Sequence, residues 1–182
     1  MPDAASLPPF RLLAQKPPDI DCIRKPDGTV YLKQRHEPGD RPRSVPHALA
    51  LRAGMHPDRS WLKQRNPEND EWEAITYGEG LQRTRALAQA FLDMGAGPDA
   101  PVMILSGNSI ESALVMVAAM TIGAPAAPIS VPYSLMSTDF AKLKHCFGAV
   151  GPKVLFAAQL APFEPALNAL GDHGCSVISA DG

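Results

Sequence analysis

Cysteine is scarce. Cys22, Cys146 and Cys175 are the three that the 182 residues contain, and no two of them form a Cys-x-x-Cys pair. An odd number at wide spacing argues against a disulfide framework, and the start of the chain carries no basic, apolar, small-residue leader. The reading is a reducing cytoplasm. Neither sign of charge dominates: seventeen basic residues stand against nineteen acidic ones, a net charge of −2. The basic side chains gather into no stripe that would track phosphates, which disfavours a nucleic-acid partner. Uninterrupted apolar runs are missing too. No charged residue occurs between Ser112 and Thr138, yet Gly123, Pro125, Pro128 and Pro132 break that stretch well short of the roughly 20 apolar residues that a membrane span requires. A buried helix followed by a buried strand explains it.

Catalytic motifs are equally absent. Neither Gly-x-x-x-x-Gly-Lys nor Gly-x-Ser-x-Gly occurs. The nearest glycine-rich piece, "GAGPDA" at 95–100, precedes a strand-like run, so its amides would not face a phosphate from a helix start. It reads as a helix stop and turn. His145 and Cys146 are adjacent on an amphipathic segment, where neighbours point away from each other, which favours a buried cysteine beside an exposed histidine over a nucleophile pair. His47, His56 and the "DHGC" at 172–175 lack metal-ligand spacing. The residues alone assign no catalytic, cofactor-binding or metal-binding side chain.

What the chain does have is 45% apolar residues, enough to bury the core of one ordinary domain or a little more. Nine of the nineteen prolines fall in the first 46 residues, so residues 1–44 read as a proline-rich extended arm and 45–182 as the main α/β unit. Within the arm, "CIRKPDGTVYLKQ" has the form of a hairpin turning at Pro26-Asp27-Gly28; a lone two-stranded ribbon is marginal and should lie against the main body. Val45 to Ala53 reads as a short helix stopped by Gly54, with Leu49 and Ala53 inward. A second hairpin pairs Trp61–Gln64 with Trp72–Thr76 around "NPEND". The following helix places Leu81, Ala88, Phe91 and Leu92 on one face and stops at Gly95.

Beyond Gly95 the pattern alternates. Strands are expected at Val102–Leu105, Ala126–Ile129, Val154–Ala157 and Ser176–Ser179. Helices between them are expected to start at Asn108, with Glu111 three residues on, to run over Thr138–Phe147, and to run over Glu164–Leu170. Short apolar strands joined by helical crossovers imply a largely parallel sheet with both faces covered. The uncharged "AAPI" reads as a central strand. Function is then expected beyond its carboxyl end, in the loop "SVPYSLMS". There Tyr133, Ser134 and Ser137 offer hydroxyls, although Ser137 or Thr138 suits a helix cap equally well and Tyr133 a half-buried packing role.

The ordered run "AITYGEG…LAQAFLDMGAGPDAPVMILSGNSIESALVMVAAMTIGAPAAPIS" resembles the start of the adenylate-forming acyl-CoA synthetases. Their Thr-Tyr-x-Glu-Leu helix start, Gly, apolar strand, Asn, helix and Gly-x-x-x-x-Pro element correspond here to Thr76, Tyr77, Glu79, Gly95, Asn108, Gly123 and Pro128. Residue 80 is Gly where that family usually has Leu, which should weaken the first helical contact. Within the family, "PISVPYSLMSTDFAKL" from Pro128 to Leu143 and the upstream "GDRPRSVPHALALRAGMHPDRSWLKQR" are similar to feruloyl-CoA synthases.

The resemblance implies the N-terminal, incomplete α/β subdomain of an enzyme with two half-reactions. A hydroxycinnamate carboxylate attacks ATP, magnesium offsetting phosphate charge, and the thiol of coenzyme A then displaces AMP from the acyl-adenylate. It implies as partners the remaining segments of the same enzyme and a small aromatic carboxylic acid, and it admits a homodimer. The family's phosphate loop, ribose-binding Asp, hinge and adenylation Lys have no counterpart here, so this chain alone is expected to be inactive and to bind none of these cofactors well. Tyr133, Ser134 and Met136 are then expected to form a loop near the active site. Two other readings stand beside this one: a non-catalytic nucleotide- or partner-binding α/β module, and a small hydrolase using Ser134 or Cys146, which lacks a base at persuasive spacing.

Overall fold

A computed structural model describes residues 17–37, 39–66 and 69–181 of the chain. The expected extended arm over residues 1–16, and Pro67 and Glu68 of the "NPEND" turn, lie outside the described residues. The chain divides into two compact units, Met1–Arg41 and Pro42–Gly182.

The first unit contains the expected hairpin, β1 (Ile20–Arg24) antiparallel to β2 (Val30–Gln34), with Cys22 opposite Leu32. Gly28 takes φ 86°, and its amide bonds the Lys25 carbonyl at 3.0 Å. Only glycine enters that region without strain, so the tight turn depends on it.

The second unit opens with α1 (Val45–Met55), capped by the Ser44 hydroxyl on the His47 amide at 3.2 Å. Leu49 and Ala53 are its buried residues. The helix runs through Gly54 rather than stopping there, because the Arg52 carbonyl is still taken up by the His56 amide. The second hairpin follows, β3 (Ser60–Arg65) antiparallel to β4 (Trp72–Thr76). Next comes α2 (Tyr77–Asp93), begun by a reciprocal cap: Thr76 Oγ1 accepts the Glu79 amide at 3.2 Å while Glu79 Oε2 accepts the Thr76 amide at 2.8 Å. The Thr-Tyr-x-Glu signature is thus a capping box. At the other end Ala96 donates to the Phe91 carbonyl and Gly95 to that of Leu92, with Gly95 at φ 82°. Such a Schellman stop needs glycine at that point.

The inward face of α2 differs from the expected one. Gly80, Thr84, Ala88 and Phe91 are buried, whereas Leu92 is 50% exposed. Gly80 is small because Trp61 occupies the space: a Cβ at residue 80 would lie 2.6 Å from Trp61 Cζ3 and closer still to Cε3. The Trp61 ring also stacks on Tyr77, with centroids 6.2 Å apart. Glycine in place of the family's leucine therefore does not leave a hole, since an indole fills it.

The main sheet comprises β5 (Val102–Leu105), β6 (Ala126–Pro128), β7 (Val154–Ala157) and β8 (Ser176–Ser179), all parallel, in the order β6-β5-β7-β8. Helix α3 (Ile110–Thr121) links β5 to β6; α4 (Pro132–Leu135) and α5 (Ala141–Val150) link β6 to β7; α6 (Leu160–Ala169) links β7 to β8. Both faces are covered. Val102, Ile104, Val154 and Phe156 pack with Phe91 of α2 and with Val115, Ala118 and Ala119 of α3. The alternate residues Met103, Leu105, Leu155 and Ala157 pack with Leu143 of α5 and with Phe163 and Ala166 of α6. Strands buried on both faces need no polar side, which explains why these runs are wholly apolar.

Three expectations need correction. The apolar "AAPI" is an edge strand, half-buried and hydrogen-bonded to β5 alone; Pro128 lacks the amide that a central position would require. Helix α5 begins at Ala141, not Thr138, because Phe140 sits in the left-handed region at φ 53°. Helix α6 begins at Leu160, since Pro162 falls in a first turn that has no use for its amide.

Candidate functional site

Parallel strands send their crossover helices away from the carboxyl edge of the sheet, and a crevice opens where neighbouring strands send them to opposite faces. Here that point lies between β5 and β7, whose following helices α3 and α6 cover opposite faces. A cleft of ≈ 550 Å³ occupies the place, lined among others by Gln64, Asn108, Ser109, Glu111, Gln159 and Asp181. This cleft lies one strand away from the "SVPYSLMS" loop that follows β6. Strand order decides this, and it is invisible until crossovers are seen.

The helix starts at the cleft are already occupied. Ser109, one residue beyond the expected Asn108, caps α3 by accepting the Ser112 amide at 3.0 Å. The Ile110 amide donates to Gln64 Oε1 at 2.8 Å, from a side chain 46 residues away on β3. Gln64 in turn donates to Glu73 Oε2 at 3.1 Å, and Asn66 holds the other oxygen at 2.7 Å. At α6 the Asp181 carboxylate accepts the Leu160 amide at 3.0 Å. Hydrogen bonds from Ser179 and the Leu160 amide, in that order, hold Asp181 below the usual carboxylate range.

This chemistry does not suit a polyphosphate. The amides that would receive one are satisfied by side chains, and Glu111 and Asp181 add negative charge to the walls. Among the described residues, no group of three or more His, Cys, Asp and Glu converges to hold a metal ion. Nor, among them, is any helix long and apolar enough to cross a membrane.

Of Tyr133, Ser134 and Met136, the structure brings the first and last to one hollow and buries Ser134 away from it. Tyr133 and Met136 line a hollow of ≈ 330 Å³ with Asp139 and Lys142, and Lys142 Nζ stands 5.3 Å from the Tyr133 ring centroid. Tyr133 is half-buried against the α5–α6 face of the core, whereas Met136 is 77% exposed. Ser134 is buried, outside that lining, and its hydroxyl has no partner among the described residues. Ser137 takes the capping role: its hydroxyl accepts the Phe140 amide at 2.9 Å and donates to Asp139 Oδ1 at 3.1 Å. The Ala141 amide and then that hydroxyl keep the Asp139 carboxyl below its ordinary range.

The cysteines follow their structural reading. Cys146 is half-buried beside an exposed His145. Cys175 donates to the Pro152 carbonyl at 3.0 Å, and burial pushes its thiol up, away from the thiolate that a nucleophile needs.

The fold has clear relatives among solved structures. A fatty acyl-adenylate ligase from L. pneumophila, in complex with acyl adenylate and pyrophosphate, superimposes with TM-score 0.62 at 19% identity, over 76% of this chain and 23% of that one. The N-terminal domain of FACL13 from Mycobacterium tuberculosis gives 0.61 at 23% identity, over 76% and 34%. The Klebsiella oxytoca NpsA N-terminal subdomain, in complex with 3-hydroxyanthranilyl-AMSN, gives 0.58 at 21% identity, over 78% and 32%. This chain therefore spans about a quarter to a third of the length of those it matches. No curated protein matches the sequence significantly. Residues 49–181, from the buried Leu49 of α1 to the Asp181 that caps α6, match the model of the AMP-binding enzymes, and the chain belongs to that family.

Proposed function

We propose that this chain is the N-terminal part of an ATP-dependent acid–thiol ligase of the feruloyl-CoA synthase type. The overall reaction would join a ferulate-like hydroxycinnamate to the thiol of coenzyme A and cleave ATP to AMP and pyrophosphate. The observation that carries the reading is the family match over residues 49–181, laid on a doubly covered parallel sheet of the kind found in N-terminal ligase domains. The substrate class rests on the similarity of "PISVPYSLMSTDFAKL" to feruloyl-CoA synthases, supported by Tyr133 and Lys142, which set an aromatic face and a cation beside one hollow.

The occupied helix starts and acidic walls of the cleft offer no triphosphate site, so in this reading ATP and magnesium are held by segments outside these residues. The role of this unit is to build the sheet and one side of the site. Assaying the protein encoded by the continuing reading frame with ATP, coenzyme A and either ferulate or a medium-chain fatty acid tests both levels. Feruloyl-CoA formation is expected. Turnover of the fatty acid alone would overturn the substrate class, and no AMP from any acid would overturn the ligase. Residues 1–182 alone should form no thioester, and thioester formation by them would refute the assignment of catalysis to other segments.

A further inference from the structure

The hairpin β1–β2 has no part in the reading above and precedes residues 49–181, which the family model matches. Two strands alone are marginal in water, and Ile20, Ile23, Val30, Tyr31 and Leu32 all stand exposed on these two, Leu32 by 70%. The ladder shows which backbone groups are left over. Just beyond the strands the Lys25 amide bonds the Thr29 carbonyl at 2.9 Å, and the Arg35 amide bonds that of Asp19 at 2.8 Å. Hydrogen-bonded pairs alternate with non-bonded ones in an antiparallel ladder, so the bonded pairs between these two are Asp21–Lys33 and Ile23–Tyr31. The amides and carbonyls of Val30, Leu32 and Gln34 therefore point outward along the free edge of β2, which no further strand covers among the described residues.

That edge is complementary to itself. A second β2 laid antiparallel, with Leu32 on the two-fold axis, sets Leu32 opposite its own copy and Val30 opposite Gln34, so that all the outward groups of the edge meet partners. On one face Lys33 then stands between Asp21 of its own hairpin and Tyr31 of the second copy, an ammonium flanked by a carboxylate and an aromatic ring. Lys25, which follows β1, approaches the same ring from within the hairpin, at 4.6 Å from its centroid, whereas Lys33 of the copy approaches from the edge. On the other face Cys22, Leu32 and their copies form one unbroken apolar row. Registers shifted by two residues lose this fit: one puts Lys33 against Lys33, and the other sets Gln34 opposite Gly28 in the turn. The β1 edge is poorer, since the same operation about Cys22 sets Asp21 against Ile23. From this register we infer that β2 is the contact between two copies of the chain, paired edge to edge into a four-stranded antiparallel sheet with Leu32 on its axis. The pairing does not depend on the ligase reading, and either can fail alone. A contact this small makes a weak dimer, associating at micromolar rather than nanomolar concentration.

Sedimentation of the chain Met1–Gly182 over a range of concentrations provides the first test, and a shift from monomer to dimer with rising concentration is expected. Leu32→Lys sets two cations on the axis without touching a buried residue and should raise the dissociation constant by about tenfold. Leu51→Lys, at another exposed apolar residue, on α1, should leave it unchanged. Cross-linking reads the geometry. In a Cys22→Ser background, two Leu32→Cys chains would face each other at about 5.5 Å between Cα atoms and should join through a disulfide with copper phenanthroline as oxidant. In the native chain the two Cys22 would lie three strand spacings apart, about 14 Å, too far to join. A monomer at every concentration, an association indifferent to Leu32→Lys, or rapid cross-linking of native Cys22 would each overturn the proposal. A monomer whose Val30, Leu32 and Gln34 amides nonetheless resist hydrogen exchange would give the edge to another segment of the same chain, which equally rejects the second copy.

Discussion

Two antiparallel hairpins of nearly equal length stand in this chain and are stabilised in different ways. In β1–β2 nine of the ten strand residues are exposed, Leu32 by 70%. Its side-chain contacts are polar: Arg35 pairs with Asp19 and Asp21, and Lys25 sits 4.6 Å from the Tyr31 ring centroid. Exposed pairs of this kind contribute at most about 1 kcal/mol each. In β3–β4 the polar pairs recur, with Arg65 on Asp70 and over Trp72, but Ile75 is buried with Ile110 and Leu114 of α3, and Trp61 lies over Gly80. Ladder bonds set register in both hairpins, whereas apolar burial anchors only the second. The anchored hairpin is the one that supplies Gln64 to the cleft.

The largest effect should come from removing that burial. Ile75→Ala should destabilise the second unit by about 2–5 kcal/mol, while Leu32→Ala, on the exposed ribbon, should change stability by no more than about 0.5 kcal/mol. Urea unfolding followed by circular dichroism measures both, and equal losses would erase the contrast. Next is Gly80→Leu, which restores the family's usual residue but drives it into the indole. Overpacking of this order costs about 1–3 kcal/mol, and pairing it with Trp61→Ala should recover part of the loss. A double-mutant cycle with no coupling would show that Trp61 does not explain the glycine.

How much of this could be read beforehand follows from the same physics. The bounds of β5 and β7 are readable because a short apolar run between turn residues is what a strand in a covered parallel sheet looks like, and those of β8, an edge strand like β6, from the Val177-Ile178 pair set between two serines. The apolar run of β6 looks the same, yet it is an edge strand, since run length reports side-chain burial and says nothing of how many neighbours share the backbone. The inward face of α2 was misjudged at Leu92 because its actual line includes Gly80 and Thr84, which apolar periodicity does not count. Tyr133, expected in a loop, lies in the short helix α4 and shares a hollow with Met136, while the larger cleft between β5 and β7 carries no motif of its own in the sequence. Its centre depends on strand order, and its α3 cap on a glutamine 46 residues upstream. One signal was available: Ser109 directly after the Asn at the end of a buried strand is a cap, and caps mark the helix starts that line such clefts.

Smaller still is the loss of the long-range cap. Gln64→Ala leaves the Ile110 amide without its acceptor and Glu73 without one donor, which should cost about 1 kcal/mol. Gln64→Glu would keep an acceptor but add a third carboxylate to a cleft that already holds Glu111 and Asp181. Hydrogen exchange at the Ile110 amide reports the difference. Exchange as slow in Gln64→Ala as in the native chain would mean that the hairpin does not hold the helix start.

The finest comparison sets the hairpin turn of β1–β2 against the helix cap that ends β4, because each contains a carboxylate held by amides. The Thr29 amide, with its hydroxyl, keeps Asp27 below its ordinary value, and the Thr76 amide, again with its hydroxyl, does the same for Glu79. A carboxyl depressed in the folded state binds its proton less readily there than in the unfolded chain. Its contribution is therefore present above the ordinary carboxylate value and is lost as pH falls through the lower, folded one. Acid should loosen both places in the same direction but with unequal consequence. At Glu79 the cap starts a 17-residue helix whose far side is core, so the thermal midpoint of the second unit should fall with it. At Asp27 only the exposed ribbon should fray. Glu79→Gln keeps an oxygen for the Thr76 amide but cannot titrate, so the slope of its midpoint below the ordinary glutamate range should be shallower than that of the native chain. Asp27→Asn should leave that slope unchanged. Equal slopes for Glu79→Gln and the native chain would assign the acid sensitivity to another carboxylate, with Asp181 at the α6 cap the next to test.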